Sequence, residues 1–195
     1  MLPSAPSHLT VWPTDRARPD ASNLNVTPGI VVPNLVMAAL SPAGEVSLYN
    51  NSGTVDVLFD VVGYFSTAEP LGSVHGVTPS RILDTRPGST VGGPTAPLGP
   101  GETRELVVTG VGGVPGEGVS AVVLNVTADR PSATSHLTVW PAGVDRPTAS
   151  NLNFAAGTTI PNLVVAKVGA GGKVSIFNSS GAVEVLADVV GYVSG

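Results

Sequence analysis

The chain has 195 residues, of which 42% are hydrophobic, 12% charged and 5% aromatic, with a net charge of −5. Two lysines (Lys167, Lys173) and seven scattered arginines form no basic run, which disfavours nucleic acid and anionic lipid as partners. The lack of cysteine excludes disulfides, thiolate metal sites and cysteine nucleophiles, and no apolar run approaches the roughly 20 residues that span a bilayer, so no membrane insertion is expected.

Val and Ala supply most of the apolar content, and 24 Gly and 18 Pro punctuate it. Valine favours strands, because a β-branched side chain packs well on a pleated surface. Proline removes a donor and glycine costs backbone entropy, so long helices are not expected. The organising feature is an internal repeat. Residues 3–66 align with 131–194 without a gap at an offset of 128, with 38 of 64 positions identical. The shared blocks are HLTVWP (8–13, 136–141), RP (18–19, 146–147), SNLN (22–25, 150–153), PNLV (33–36, 161–164) and DVVGY (60–64, 188–192). Residues 67–130 align with neither copy. The order is therefore a C-terminal half, an N-terminal half, and a second C-terminal half. This predicts a truncated unit over 1–68 with the five C-terminal strands, then a complete unit over 69–195 with about eight. TAEPLGSVHG (67–76) reads as the junction.

In chain order, the truncated unit repeats the last five strands of the complete one. Alternation and turn residues place the strands of the complete unit near 80–85, 103–109, 119–127, 136–140, 150–154, 161–168, 173–177 and 183–192. Pro-Gly at 87–88 and 100–101, and the glycine clusters at 110–113 and 169–172, mark turns between them. Eight short strands at this spacing predict an all-β fold: an antiparallel β-sandwich, or a β-barrel-like unit, without substantial helix. Five strands in the truncated copy bury little and leave an open edge, which invites pairing with another chain. Three arrangements answer this. The middle strands can pair with the first copy, the two half-copies can pack together, or a neighbouring molecule can supply strands by self-association. Contact between the first copy and the rest of the same chain is the favoured reading.

The segments RILDTRPG (81–88), PLGPGETRELVVTG (97–110) and GVSAVVLNVTA (118–128), with HLTVWP, SNLN and DVVGY, resemble a repeat of exported and cell-surface proteins of actinobacteria. There it is appended to cell-wall hydrolases or peptidases, or strung in arrays. The resemblance implies an extracellular setting and an accessory role, and it carries no catalytic residue. The first unit departs from the pattern by lacking the LDTR and LNVT strands.

Three constellations stand out. Strand alternation puts His8, Thr10 and Trp12 on one face, and His136, Thr138 and Trp140 likewise. A flat Trp beside hydrogen-bonding side chains could stack on a sugar; the plain alternative is that Trp caps the core. In VDVLFDVVGYF both faces are apolar, which predicts a central, buried strand. Asp60 and Asp188 would then need a partner, with Arg81, Arg86, Arg18 and Arg146 as candidates for a structural polar latch and a metal or acid role as the alternative. Asn23, Asn25, Asn151 and Asn153, with Asn34 and Asn162, could bridge loops or hold a sugar or calcium. Asp15 and Asp20 become Gly143 and Thr148 in the second copy, which weakens a calcium site. Asn-X-Ser/Thr triplets at 25, 50, 125 and 178 read as turn and strand chemistry. There is no G-x-S-x-G, H-E-x-x-H or Walker loop, and His8, His75 and His136 have no evident Ser and Asp partners in sequence. No catalytic residue, metal or cofactor is expected. The function expected is a structural or adhesive surface module, a spacer or assembly unit that meets neighbouring repeats. The alternative is a carbohydrate-binding module that meets cell-surface glycan beside an attached cell-wall or polysaccharide-acting enzyme.

Overall fold

A computed structural model describes Leu2–Phe65 and Gly72–Gly195. The strands are β1 (Ser7–Pro13), β2 (Leu24–Val26), β3 (Val46–Asn50), β4 (Val74–Asp84), β5 (Thr103–Val107), β6 (Val119–Asp129), β7 (Ser135–Pro141), β8 (Leu152–Phe154), β9 (Ile160–Lys167), β10 (Lys173–Asn178) and β11 (Glu184–Ser194). No helix occurs among the described residues. The chain divides into two compact units, Met1–Phe59 and Asp60–Gly195; the boundary expected at 68/69 lies outside the described residues.

The second unit holds all eight expected strands. They form two four-stranded antiparallel sheets, ordered β5-β10-β7-β8 and β4-β11-β6-β9. Strand alternation gives each sheet one apolar face. Val122, Leu124, Val126 and Ala128 of β6, with Val185, Ala187 and Val189 of β11, meet Leu137 and Val139 of β7, Leu152 and Phe154 of β8, and Val174 and Ile176 of β10. Burying a Val or Leu side chain stabilises by about 1.5–3 kcal/mol, so this shared core makes the two sheets interdependent. β4 begins at Val74, inside the segment expected to be the junction.

The middle strands pair with the second copy. β6 lies between β11 and β9, and β4 lies beside β11. The truncated copy corrects the sequence reading. Of its five expected strands only three form, in one sheet ordered β2-β1-β3. These correspond to β8, β7 and β10, which pair among themselves in the second copy. The missing two correspond to β9 and β11, whose sheet partners are β6 and β4. The first copy has no such partners of its own, so residues 32–39 and 56–65 form no strand. The two copies thus share the ladders of one sheet, in the same register, but not those of the other. Leu186 is 5% exposed and Val189 0%, whereas their counterparts Leu58 and Val61 are 87% and 89% exposed.

Candidate functional site: a polar clasp and a covered His-Thr-Trp face

The LDTR segment sits at the end of β4, where it meets β11 across the seam between the two half-repeats. Arg81 Nε donates to Asp188 Oδ1 at 2.8 Å and Nη2 donates to Oδ2 at 3.1 Å, a two-pronged contact. Asp84 lies 3.5 Å from Arg81. It also accepts from Arg86 Nε at 2.9 Å and Nη2 at 2.7 Å, and from the Arg86 backbone N–H at 3.1 Å. Thr85 completes the seam. Its hydroxyl donates to Glu184 and accepts from the Val185 N–H at 2.8 Å. At the far end of β6, Asp129 accepts from the Thr159 hydroxyl at 2.6 Å and pairs with Arg130 at 3.2 Å. Every buried side-chain N or O among the described residues has a partner, as buried polar groups require.

The latch expected at Asp188 is therefore present with Arg81, and three parts of that expectation change. Arg86 holds Asp84 instead of Asp188. Neither aspartate is buried among apolar residues as expected: Asp188 is half-buried, its side chain 21% exposed, and Asp60 is exposed, its segment lacking the strands that flank β11. Arg18 and Arg146 hold neither aspartate in a hydrogen-bonded pair; their guanidinium carbons lie 3.7 Å over Tyr49 and 3.6 Å over Phe177. Sequence reasoning missed Thr85, Glu184 and the Asp129–Thr159 bond. The acid recurring at 56 and 184 was the available signal.

Hydrogen bonding from the Arg86 side chain is opposed by burial and reinforced by the Arg86 N–H and the charges of Arg86 and Arg81. Together they lower the Asp84 carboxyl to about 2. A carboxyl lowered on folding stabilises the fold fully above its unfolded value of about 3.9, and this contribution is lost as pH falls through the folded value. The urea midpoint of the second unit is thus expected to drop between about pH 4 and pH 2. Asp84→Asn should flatten part of that drop. It cannot flatten all of it, since Asp129, through the Thr159 hydroxyl first, is lowered as well. Identical pH profiles for the variant and the parent would remove Asp84 from the clasp.

The His-Thr-Trp faces are built alike in both copies. Thr138 Oγ1 donates to Ala149 O at 2.9 Å, Trp140 Nε1 donates to Val144 O at 3.0 Å, and Asn151 Oδ1 accepts from Val139 N–H at 2.6 Å. In the first copy Thr10 donates to Ala21 O at 2.6 Å, Trp12 to Arg16 O at 3.0 Å, and Asn23 accepts from Val11 N–H at 2.7 Å. The loop after each strand folds back over Thr and Trp. Its Arg lies on the aromatic of the neighbouring strand, beside the tilted ring of His136 or His8. Trp140 is left 7% exposed. Asn34 and Asn162 donate to the Asn23 and Asn151 carbonyls at 2.5 and 2.6 Å, so the asparagines bridge loops. Burial, then the charge of Arg146, holds His136 below the usual histidine value.

Two surface grooves are lined by Thr14, Asp15, Ser41, Pro42, Ala43 and Glu45, and by Val77–Ser80 with Gly112 and Gly113. Neither includes the His-Thr-Trp set. Among the described residues no three His, Asp or Glu side chains gather as a metal site would need. Compared with family models, curated proteins and solved structures, the chain matches none.

Proposed function

We propose that this chain is a non-catalytic structural and adhesive module of an exported cell-surface protein, an assembly unit made of half-repeats. The supporting observation is what the recurring residues do. Thr10 and Thr138, Trp12 and Trp140, Asn23 and Asn151, and Asn34 and Asn162 make the same loop-holding bonds in both copies. Arg81 and Thr85 join one half-repeat to the other. The repeated pattern is thus spent on pairing and bracing strands. The residue before β4 also meets the end of β11: the Ser194 N–H donates to Ser73 O at 3.0 Å.

The test is a glycan array probed with the parent chain and with Trp12→Ala and Trp140→Ala. The expected result is no binding by any of them. Trp140→Ala should also lose about 3–5 kcal/mol of stability, the usual cost of truncating a packed Trp. Glycan binding by the parent that disappears in a still-folded Trp variant would replace this reading with a carbohydrate-binding one.

A further inference from the structure

We infer that the first copy is the acceptor half of a strand-complementation pair. Its occupant would be a strand of the β6 pattern, GVSAVVLNVTADR in this chain, supplied from outside residues 1–195. The inference rests on the structural reading above and names the partner for it.

What covers this surface is visible in the second copy. There β6 pairs with β11 from Glu184↔Asp129 to Ser194↔Val119, and with β9 from Ile160↔Ala128 to Lys167↔Ala121. One strand therefore supplies two of the three ladders that the first copy lacks; the third is the pairing of β11 with β4. Most counterparts of the pairing residues are kept, with Phe59 in place of Ala187 and Met37 in place of Val165 among the exceptions. Val57, Leu58, Asp60, Val61, Gly63 and Tyr64 match Val185, Leu186, Asp188, Val189, Gly191 and Tyr192, and PNLV is identical at 33–36 and 161–164. In the first copy this apolar row is bare: Leu58, Val61, Tyr64 and Phe65 are 87%, 89%, 83% and 72% exposed. An apolar row of this size with unpaired backbone is an interaction edge.

Two details show that the other edge of the same segment is fitted to a neighbouring strand of the β4 pattern, as β11 is fitted to β4 beside β6. A Cβ on Gly191 would lie 2.8 Å from His75 O, so close approach of β4 requires glycine there; Gly63 keeps that glycine with nothing within 4 Å. Asp188 is held by Arg81 of β4; Asp60 keeps the carboxylate and stands exposed. Both are fitted to strands of an N-terminal half-repeat.

The count of halves places the source outside this stretch. Residues 1–195 hold two C-terminal halves and one N-terminal half, and the second copy occupies the latter. A second molecule of the same 195 residues brings the same two-to-one ratio, so it completes one half only by stripping another. Main-chain pairing would give such a complex affinity, and alternate side chains would give it specificity.

The experiment uses the full chain and a fluorescent synthetic peptide of residues 118–130, followed by anisotropy and amide hydrogen exchange. Saturable binding of one peptide per chain is expected, with protection gained at 32–39 and 56–65. Val61→Asp should weaken binding more than about tenfold, because it would bury an unpaired charge, and a scrambled peptide should not bind. Val61 is exposed, so this variant should keep the parent's second-unit melting temperature. Absence of saturable binding would overturn the inference. So would protection changes confined to 160–167 and 184–194, which would mean the peptide displaces the resident β6. Either failure leaves the glycan-array result, and with it the structural reading, standing or falling on its own.

Discussion

Val189→Asp should abolish the cooperative unfolding transition of the second unit at 25 °C, while Val61→Asp, at the same position of the repeat, should leave it unchanged. Val189 is fully buried in the core between the two sheets. A carboxylate placed there must be desolvated without a partner or must take up a proton at a large cost. Either penalty is several kcal/mol, against a typical total stability of about 5–15 kcal/mol. Val61 is 89% exposed, and substitutions at such positions usually change stability by no more than about 0.5 kcal/mol. The residue and its sequence neighbours, Asp-Val-Val-Gly-Tyr, are the same in both copies, so local propensity cancels in the comparison. What differs is whether β6 and β4 are there to cover the strand. Circular dichroism during urea titration of the two variants decides the matter. Equal losses in both would show that Val61 is buried and would overturn its placement.

The same contrast explains what could be read from the sequence. All eight strands of the second unit were legible, because alternation of Val and Leu with polar residues reports a one-sided burial that the sandwich then provides. The exception at its start, β4 extending back to Val74, follows from pairing with the end of β11, Val193↔Val74 and Tyr192↔His75, a contact across more than half the chain that no local pattern announces. In the first copy the same periodic signal predicted five strands and two did not form. Periodicity states what a segment can do when a partner is present, and 32–39 and 56–65 have lost theirs. The latch was legible at Asp188 because a carboxylate within an apolar strand demands a cation. Its choice of Arg81 over Arg86 depended on the β4–β11 register, with Asp188↔Arg81 directly paired. The His-Thr-Trp face was read correctly as one face of a strand. The covering loop was not legible, since Thr138 and Trp140 are sealed by backbone carbonyls of Ala149 and Val144, and carbonyls carry no sequence signature.

Supplying the missing half in the same chain should convert the first copy into a second sandwich. Residues 72–130 placed ahead of Pro3 would join Arg130 to Pro3 as Arg130 joins Pro131 in the second unit, so the connection and register are reproduced. Strand β6 of the added half would lie between 32–39 and 56–65, and its β4 would bring an arginine to Asp60 and a backbone to Gly63. Val61 and Tyr64 would pass from solvent into a two-sheet packing, as Val189 and Tyr192 do in the second unit. Near 60 °C unfolding absorbs about 0.7 kcal/mol per residue. Ordering a second unit of about 120 residues should therefore raise the calorimetric enthalpy by about 80 kcal/mol, less whatever the β2-β1-β3 sheet already contributes. Amides at 57–65, expected to exchange at open-chain rates in the parent, should become as protected as those at 185–193. An enthalpy unchanged from the parent, with 57–65 still exchanging freely, would mean that these residues have drifted from the pairing code of the repeat. The resemblance between Asp-Val-Val-Gly-Tyr in the two copies would then be ancestry without function.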